Sequence, residues 1–459
     1  MPFRWLSALL LAVCATTAPA QTAIPKTPAG RTLQAWLDAF NSGDRAKIEN
    51  YVKTIQPSED ADGMMGFRAR TGGFDLVSID SSEPLHIQFR VKEKNSETRA
   101  MGDLEVKDGN PPTVAAFGLR AMPAGVTPAH IVLDAAFRQR VIDGIKADLI
   151  EYYIDAGVAA KMNNALDAHV KAGDYNSIND GNAFAEKLTA DLRAISHDGH
   201  LRVDFSPFKM PPPHEPSADD LADMRADMLR ENCAFDKVEI LPGNIGYIKF
   251  DAFLNPDFCG PTVAAAMGFV AHTDALIFDL RDNGGGAPAM VSLIASYLFD
   301  QPTHLNDLYN RHENSTTQYW TSAWVPGDRM ATQPVFVLTS HRTFSGGEEF
   351  TYDLKTQKRA TIVGQTTGGG AHPVSGHPVA EYFEIGVPFA TAVNPITKTS
   401  WEGTGVVPDV DVDAPDALAT AEKLAADKIQ ASRARRETPP PVKRMMLSPQ
   451  PVPPPPPPQ

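Results

Sequence analysis

The sequence predicts an α/β protein: a β/α core, a helical subdomain ahead of it, and a small α+β module in front of both. Three observations carry this. From about residue 236, short apolar strands alternate with helix-compatible stretches, the pattern of a mostly parallel sheet with right-handed crossovers. Between about 130 and 200, apolar residues recur at helical spacing. Residues 31 to about 122 put a helix first and alternating strands afterwards. The expected divisions are a signal segment at 1–20, the α+β module at 21–125, the helical subdomain at 126–205, the core at 206–435 and a proline-rich tail at 436–459.

Length and composition agree with this plan. A chain of 459 residues holds two or three domains on the usual size scale, and 42% hydrophobic content is ample for large cores. The formal net charge of −14 argues against nucleic acid or an anionic membrane as partner, because phosphate binding needs clustered Lys and Arg. At the start, Arg4, the apolar run Leu6 to Val13 and the small residues Ala18-Pro-Ala20 read as an export signal cleaved after Ala20. That run is too short to span a bilayer, and no later segment is long and apolar enough. A lipid anchor on Cys14 is disfavoured by Val13, where a small residue is expected. The expected location is therefore periplasmic or secreted. Export leaves Cys233 and Cys259 as a disulfide candidate, with two buried free thiols as the alternative. There is no Cys-x-x-Cys and no His-x-x-x-His, so neither a metal nor a cofactor is expected.

The elements follow in order. Leu33, Trp36, Leu37 and Phe40 share a helical face, and Asn41-Ser-Gly-Asp44 stops that helix. Leu85-His-Ile-Gln-Phe-Arg-Val91 alternates like a strand, and another surrounds Gly118. The stretch AWLDAFNSGDRAKIENYV (35–52) resembles the opening helices of the nuclear-transport-factor-2-like fold, which implies a cone-like module that binds small apolar molecules or dimerises. It carries no charged constellation, so a structural or pairing role is expected and a homo-oligomer stays open. Ile131 to Ala147, Lys161 to His169 and Ala183 to Ile195 are helices with core-facing stripes. Val238 to Leu241 and Ile245 to Phe250 form a hairpin across Pro242-Gly-Asn244. Ala275 to Leu280 is a buried strand that runs into Gly284-Gly-Gly286, with a helix from Ala289 to Leu298. Val335 to Leu338 is a strand, Gly346 to Lys355 a helix, and Ala360 to Val363 another strand. The tail from about Thr438 ends in Pro453 to Pro458 and is extended or disordered.

Candidate chemistry gathers beyond the carboxyl ends of the strands, where α/β sheets place ligands. Ser345 stands at a strand-to-helix junction, so it is either a helix N-cap or a nucleophile beside unpaired N–H groups. The run Gly284 to Gly286 is either a turn or a close approach of backbone to ligand; in the second case the amides of Gly285 and Gly346 make an oxyanion hole. For the base, His200, His197 and His372 rank nearly level on sequence alone. His372 follows a second glycine run, Gly368 to Gly370, and is a candidate substrate contact with Gly284 and Gly369.

Six pieces in order then resemble the C-terminal-processing (tail-specific) serine peptidases, especially their interphotoreceptor-retinoid-binding-protein-like and tricorn-like branch. They are DGHL (198–201), GYIKFDAF (246–253), LIFDLRDNGGG (276–286), TFSGGEEF (343–350), RATIVGQTTGGG (359–370) and GTGVVPDV (403–410). The resemblance implies a crotonase-like fold, Ser345 as nucleophile, Gly285 and Gly346 as oxyanion donors, His200 as general base and Glu402 as an acidic helper acting directly or through another side chain. Glu348 and Glu349 read as charges stabilising a helix N-terminus. Two departures matter. The lysine of relatives with a Ser–Lys dyad falls 25 residues after the serine, where this chain has Gly370. Fewer than 50 residues separate His200 from Ile245, too few for the PDZ module that recruits substrate tails. The expectation is an exported serine peptidase acting on peptide or protein; the alternatives are an idle binder of apolar ligands and a non-peptidase ester hydrolase.

Overall fold

The computed structural model describes residues 23–59, 61–122, 131–210 and 215–437. The segment expected to be an export signal (1–20) and the proline-rich tail beyond Glu437 lie outside the described residues. The chain divides into two compact units between residues 128 and 129.

In the first unit, helices α1 (Pro28–Ser42), α2 (Arg45–Thr54) and α3 (Ala61–Thr71) precede an antiparallel sheet of β1 (Phe74–Ser82), β2 (His86–Glu93), β3 (Arg99–Lys107) and β4 (Thr113–Met122), paired in sequence order. Thr27 and Asp44 cap α1 and α2 by accepting first-turn amides. Strand β2 buries every second residue, Ile87, Phe89 and Val91, so one face of the sheet is apolar. Trp36 and Phe40 of α1 fill that face against Phe74, with Phe117 edge-on to Trp36.

The second unit opens with α4 (Ala135–Tyr152), α5 (Ala156–Ala172) and α6 (Gly181–Ser196), whose N-caps Asp134, Asp155 and Asp180 each accept a backbone N–H. Then come β5 (Arg202–Phe205), α7 (Ala218–Arg230), β6 (Phe235–Leu241), β7 (Ile245–Phe250), α8 (Pro256–Val270), β8 (Ala275–Asp279) and α9 (Pro288–Ser296). They are followed by β9 (His304–Asn310), β10 (Ser315–Trp320), β11 (Val335–Thr339), α10 (Gly346–Thr356), β12 (Ala360–Gly364) and β13 (Val374–Ala380). The chain closes with β14 (Phe383–Pro388), β15 (Ala390–Val393), β16 (Val410–Asp411) and α11 (Ala417–Glu437). The central sheet runs β16-β12-β11-β8-β7-β6 and is parallel except for the β6–β7 hairpin.

Every residue of β8 and β11 is buried, as expected of strands covered on both faces. Ile277, Phe336 and Leu338 meet a strip of small residues on α11, Ala417, Ala421 and Ala425. Their neighbours Leu276, Phe278, Val335 and Val337 face a larger core that includes residues of α8, α9 and α10. Among the described residues no helix is long and apolar enough to cross a membrane.

Two further three-stranded sheets were not foreseen. One pairs β10-β9-β15, the other β13-β14-β5. Strands β9 and β10 are polar and half-exposed, so they lack the apolar runs that mark the central sheet. The helical layer is not contiguous in sequence either: Phe383, Ile385 and Val387 of β14 complete the core under α4 and α6, with Leu201 and Val203 beside them.

Cys233 and Cys259 are joined as a disulfide, tying the turn before β6 to α8. The 26-residue separation corresponds to about 3.5 kcal/mol of loop-closure entropy. Reduction, or Cys233→Ser with Cys259→Ser, is expected to lower the unfolding free energy by that order in a urea titration. An unchanged midpoint would sink a stabilising role for the bond.

Candidate active site

The turn from β11 to α10 is bolted to the loop after β8. Thr343 Oγ1 donates to the Leu280 carbonyl (2.7 Å) and the Phe344 amide to the Asn283 carbonyl (3.0 Å). Ser345 follows with φ 51° and ψ −119°, a conformation that a residue bearing a Cβ rarely adopts. Such strain persists only where neighbours over-determine it. Here the Ser345 N–H donates to the Glu348 carboxylate (3.0 Å), while the Ser345 carbonyl takes the amides of Glu348 and Glu349. The serine is thus the N-cap residue of α10 and is also half-exposed at its mouth.

Backbone crowds in around it. A Cβ on Gly285, which has φ +106°, would stand 2.6 Å from the Ser345 Cβ and 2.7 Å from the Gly346 nitrogen. The Gly285 N–H, expected to bind an oxyanion, instead donates to Asn283 Oδ1 (2.9 Å) in a two-residue side-chain turn. Gly284 is engaged too, donating to the Asp251 carbonyl (3.0 Å). The amides of Gly286 and Gly346 have no partner among the described residues, and both residues line a cavity of about 50 Å³ with Ser345, Glu349, Asn306 and Trp401. The free amide beside that of Gly346 is therefore the one at Gly286, one residue after the expected Gly285, because Asn283 takes the earlier N–H.

His200 sits on the loop between α6 and β5. Its ring lies against Phe344, centroids 4.7 Å apart, and against Gly370, where a Cβ would approach the imidazole Cε1 to 2.6 Å. Only a glycine fits there. The imidazole is thus beside the residue that precedes Ser345, but no hydrogen bond joins the two side chains. Both ring nitrogens are buried and without a partner. Burial drives the imidazole below its ordinary pKa, with the charges of His372 and Arg193 acting the same way and Asp198 opposing. His197 ends α6 as a left-handed cap and enters none of these contacts.

The acids form a chain. Asp198 Oδ1 lies 3.8 Å from His200 Nδ1, and Asp198 Oδ2 is hydrogen-bonded to His372 Nδ1 at 2.8 Å. Glu402 Oε2 lies 3.5 Å from the same His372 nitrogen and accepts the Ala371 amide (2.5 Å). Glu402 thus reaches His200 only through His372 and Asp198. Burial raises the Asp198 carboxyl, but its bond to His372 and the nearby His200 amide outweigh that and hold it below its ordinary value. Burial raises Glu402. The ligand atoms of Asp198, His372 and Glu402 lie within 4.8 Å of one another, a spacing that also suits a divalent cation, although the His372–Asp198 bond already satisfies that pair. His372 is buried in this network rather than displayed to substrate, and the Gly369 amide is consumed by Glu348 (2.7 Å).

Glu348 is the residue that sequence reasoning undervalued. It is fully buried and accepts from the amides of Ser345, Gly369 and Gly370 and from the Thr367 hydroxyl. Asn283 and Asp198 were passed over as well. The available signals were an Asx residue two positions before a glycine, and an acid two positions before a histidine.

The description "Peptidase family S41" matches residues 244–412, and the N-terminal domain of such peptidases in eukaryotic IRBP matches 130–239. Among solved structures, a protein of Parabacteroides merdae described as a candidate peptidase is 17% identical, with 63% of this chain and 96% of that one covered and a TM-score of 0.44. A lipoprotein from Streptococcus agalactiae is 13% identical, covering 65% and 99%, with a TM-score of 0.44. The photosystem II D1 C-terminal processing protease is 16% identical, covering 62% and 94%, with a TM-score of 0.38.

Glu348→Gln would set an amide donor against backbone donors in a dry site. It is expected to cost about 1–3 kcal/mol of stability and to slow labelling of Ser345 by a fluorophosphonate. Unchanged melting and labelling would refute the positioning role.

Proposed function

The chain belongs to peptidase family S41 and is a serine-type peptidase; on that premise we propose that it is an exported enzyme cleaving peptide bonds through Ser345, His200 and an acid chain ending at Glu402. The observation that carries this reading is the strained Ser345 at a helix mouth, with the unpartnered amides of Gly286 and Gly346 lining the same cavity. His200 takes the hydroxyl proton as the serine oxygen attacks the scissile carbonyl. The two amides hold the oxyanion, each contributing roughly 3–4 kcal/mol in comparable sites. His200 then protonates the departing amine, and in the second half it activates water against the acyl-enzyme. The missing hydrogen bond between serine and base is ordinary for a site without substrate. Asp198 balances the imidazolium, with His372 and Glu402 holding Asp198 in turn.

The idle-binder reading loses support because the cavity at Ser345, about 50 Å³, is far below the roughly 300 Å³ at which small-molecule pockets begin. Ser345→Ala is expected to abolish fluorophosphonate labelling and peptide digestion while the thermal melt stays cooperative. His200→Ala should reduce both by about 10⁴-fold. Labelling that survives in Ser345→Ala would end the assignment; labelling with cleavage of esters but of no peptide in a library would favour the ester hydrolase.

Acid dependence follows from burial of His200. Its pKa is depressed below 6.5, so the base is neutral at pH 7 and the acid limb of kcat/KM should lie below pH 6.5. The sign for stability agrees: the contribution of the neutral imidazole is present above 6.5 and is lost as pH falls through the folded-state value. An acid limb centred above about 6.5 contradicts His200 as the base.

A further inference from the structure

We propose that the cavity beside Ser345 is a specificity pocket for lysine at the residue supplying the scissile carbonyl, with Glu349 and Asn306 receiving its ammonium. The proposal rests on the peptidase reading of Ser345. A carbonyl held by the amides of Gly286 and Gly346 has its own side chain attached one atom away. That side chain enters the space these amides and Ser345 border.

Glu349 lies one helical turn beyond Ser345, its N–H donating to the Ser345 carbonyl (2.9 Å). The residue is 4% exposed and lines the cavity. Asn306 lines it too, fully buried, and gives its amide nitrogen to Glu349 Oε1 (3.3 Å). That leaves Asn306 Oδ1 a buried acceptor with no donor, and Asp353 Oδ2, one turn further along α10, is another. Unsatisfied buried acceptors are costly, and a donor-bearing guest relieves them. Leu308, Ala392 and Trp401 supply apolar walls suited to a methylene stem.

Size and charge narrow the guest. At about 10–15 Å³ per water-sized atom, a cavity of about 50 Å³ holds about three to five heavy atoms. Lysine's stem and nitrogen match this, whereas the guanidinium of arginine overfills it. Burial pushes the Glu349 carboxyl up to about 7, and burial and the Glu349 charge push Asp353 well above its ordinary value. Two acids on neighbouring turns of one buried helix each disfavour the other's charge. A cation beside Glu349 favours its ionised form; an acidic side chain is repelled.

The test compares peptide substrates with lysine or norleucine on either side of the scissile bond, cut by the wild type, E349Q and E349D. In the wild type, lysine on the carbonyl side should exceed norleucine in kcat/KM by about tenfold or more. That ratio should collapse in E349Q and be largely kept in E349D. A flat ratio in the wild type, a ratio indifferent to E349Q, or a lysine preference only on the amine side would overturn the proposal. Binding of n-butylammonium to S345A, read by calorimetry against S345A/E349Q, is independent of turnover. If no peptide is cut yet n-butylammonium binds through Glu349, the peptidase reading fails and the pocket stands; if it does not bind, the pocket falls, and Glu349 and Asp353 are buried acids of structural role only.

Discussion

The carboxylate of Glu348 is the constraint on which the rest of the site depends. A serine at φ 51° turns its own N–H inward, and that donor must be satisfied away from water. Glu348 meets it, and with its remaining lone pairs takes two amides and a hydroxyl from the loop 367–370. One side chain therefore fixes the register between the nucleophile's turn and the second glycine run. That loop continues into Ala371 and His372, which are held by Glu402 and Asp198. Trp401 donates its indole N–H to the Gly370 carbonyl (2.7 Å) from the opposite side. Strain at Ser345 and order around the histidines are thus two ends of one hydrogen-bonded path. Burial raises the Glu348 carboxyl although four donors pull the other way. Such a group is worth keeping buried only where its geometry is needed.

A second theme is the concentration of acids around a cleft with few buried cations. Asp198, Glu348, Glu349, Asp353 and Glu402 are buried or nearly so within reach of the same loops. Each is handled differently. Asp198 is shared by two histidines; Glu348 is saturated with neutral donors; Glu349 and Asp353 crowd one another. The consequence for His200 is specific. Desolvation keeps the imidazole neutral at rest, yet an ionised carboxylate 3.8 Å away stabilises the charge once a proton arrives. A base that is free at rest and compensated when loaded is what acyl transfer demands.

Much of the central layer was legible because its physics is local. Parallel strands buried on both faces are continuous apolar runs, so β8, β11 and β12 could be read directly, and the glycine run and Ser345 fell at their ends. What failed depended on who satisfies whom. The order Asn283-Gly-Gly-Gly permits an Asx turn to the amide two residues on but does not show that it forms, so Gly285 looked as available as Gly286. Glu348 resembled any acid in a first helical turn, since its three other donors lie about 20 residues downstream. His372 read as a candidate substrate contact because Asp198, its partner, is 174 positions earlier. The polar strands β9 and β10 hid for a different reason: of their residues only Leu305 and Asn306 are buried, so no apolar run marks them.

On the proposed mechanism, the position of His200 relative to Ser345 follows from how the two layers of the second unit meet. Ser345 caps α10 beyond the end of β11, and His200 lies on the loop between α6 and β5 of the helical layer. Strand β5, immediately after His200, pairs with β14 and so fixes that loop within the helical layer. Arg311, on the turn after β9, donates to the carbonyls of Ile150, Glu151 and Tyr153 at the end of α4. On the proposed mechanism, misplacing the imidazole relative to Phe344 costs rate, because reacting groups must be held in near-attack geometry. The unpartnered nitrogens of His200 point the same way. Among the described residues no hydrogen bond reaches the ring, so its orientation is set by packing between Phe344 and Gly370 and by the Asp198 charge. On the proposed mechanism, a base held by shape rather than by hydrogen bonds keeps both nitrogens free for the reaction, and the fit between the two layers governs activation of the serine.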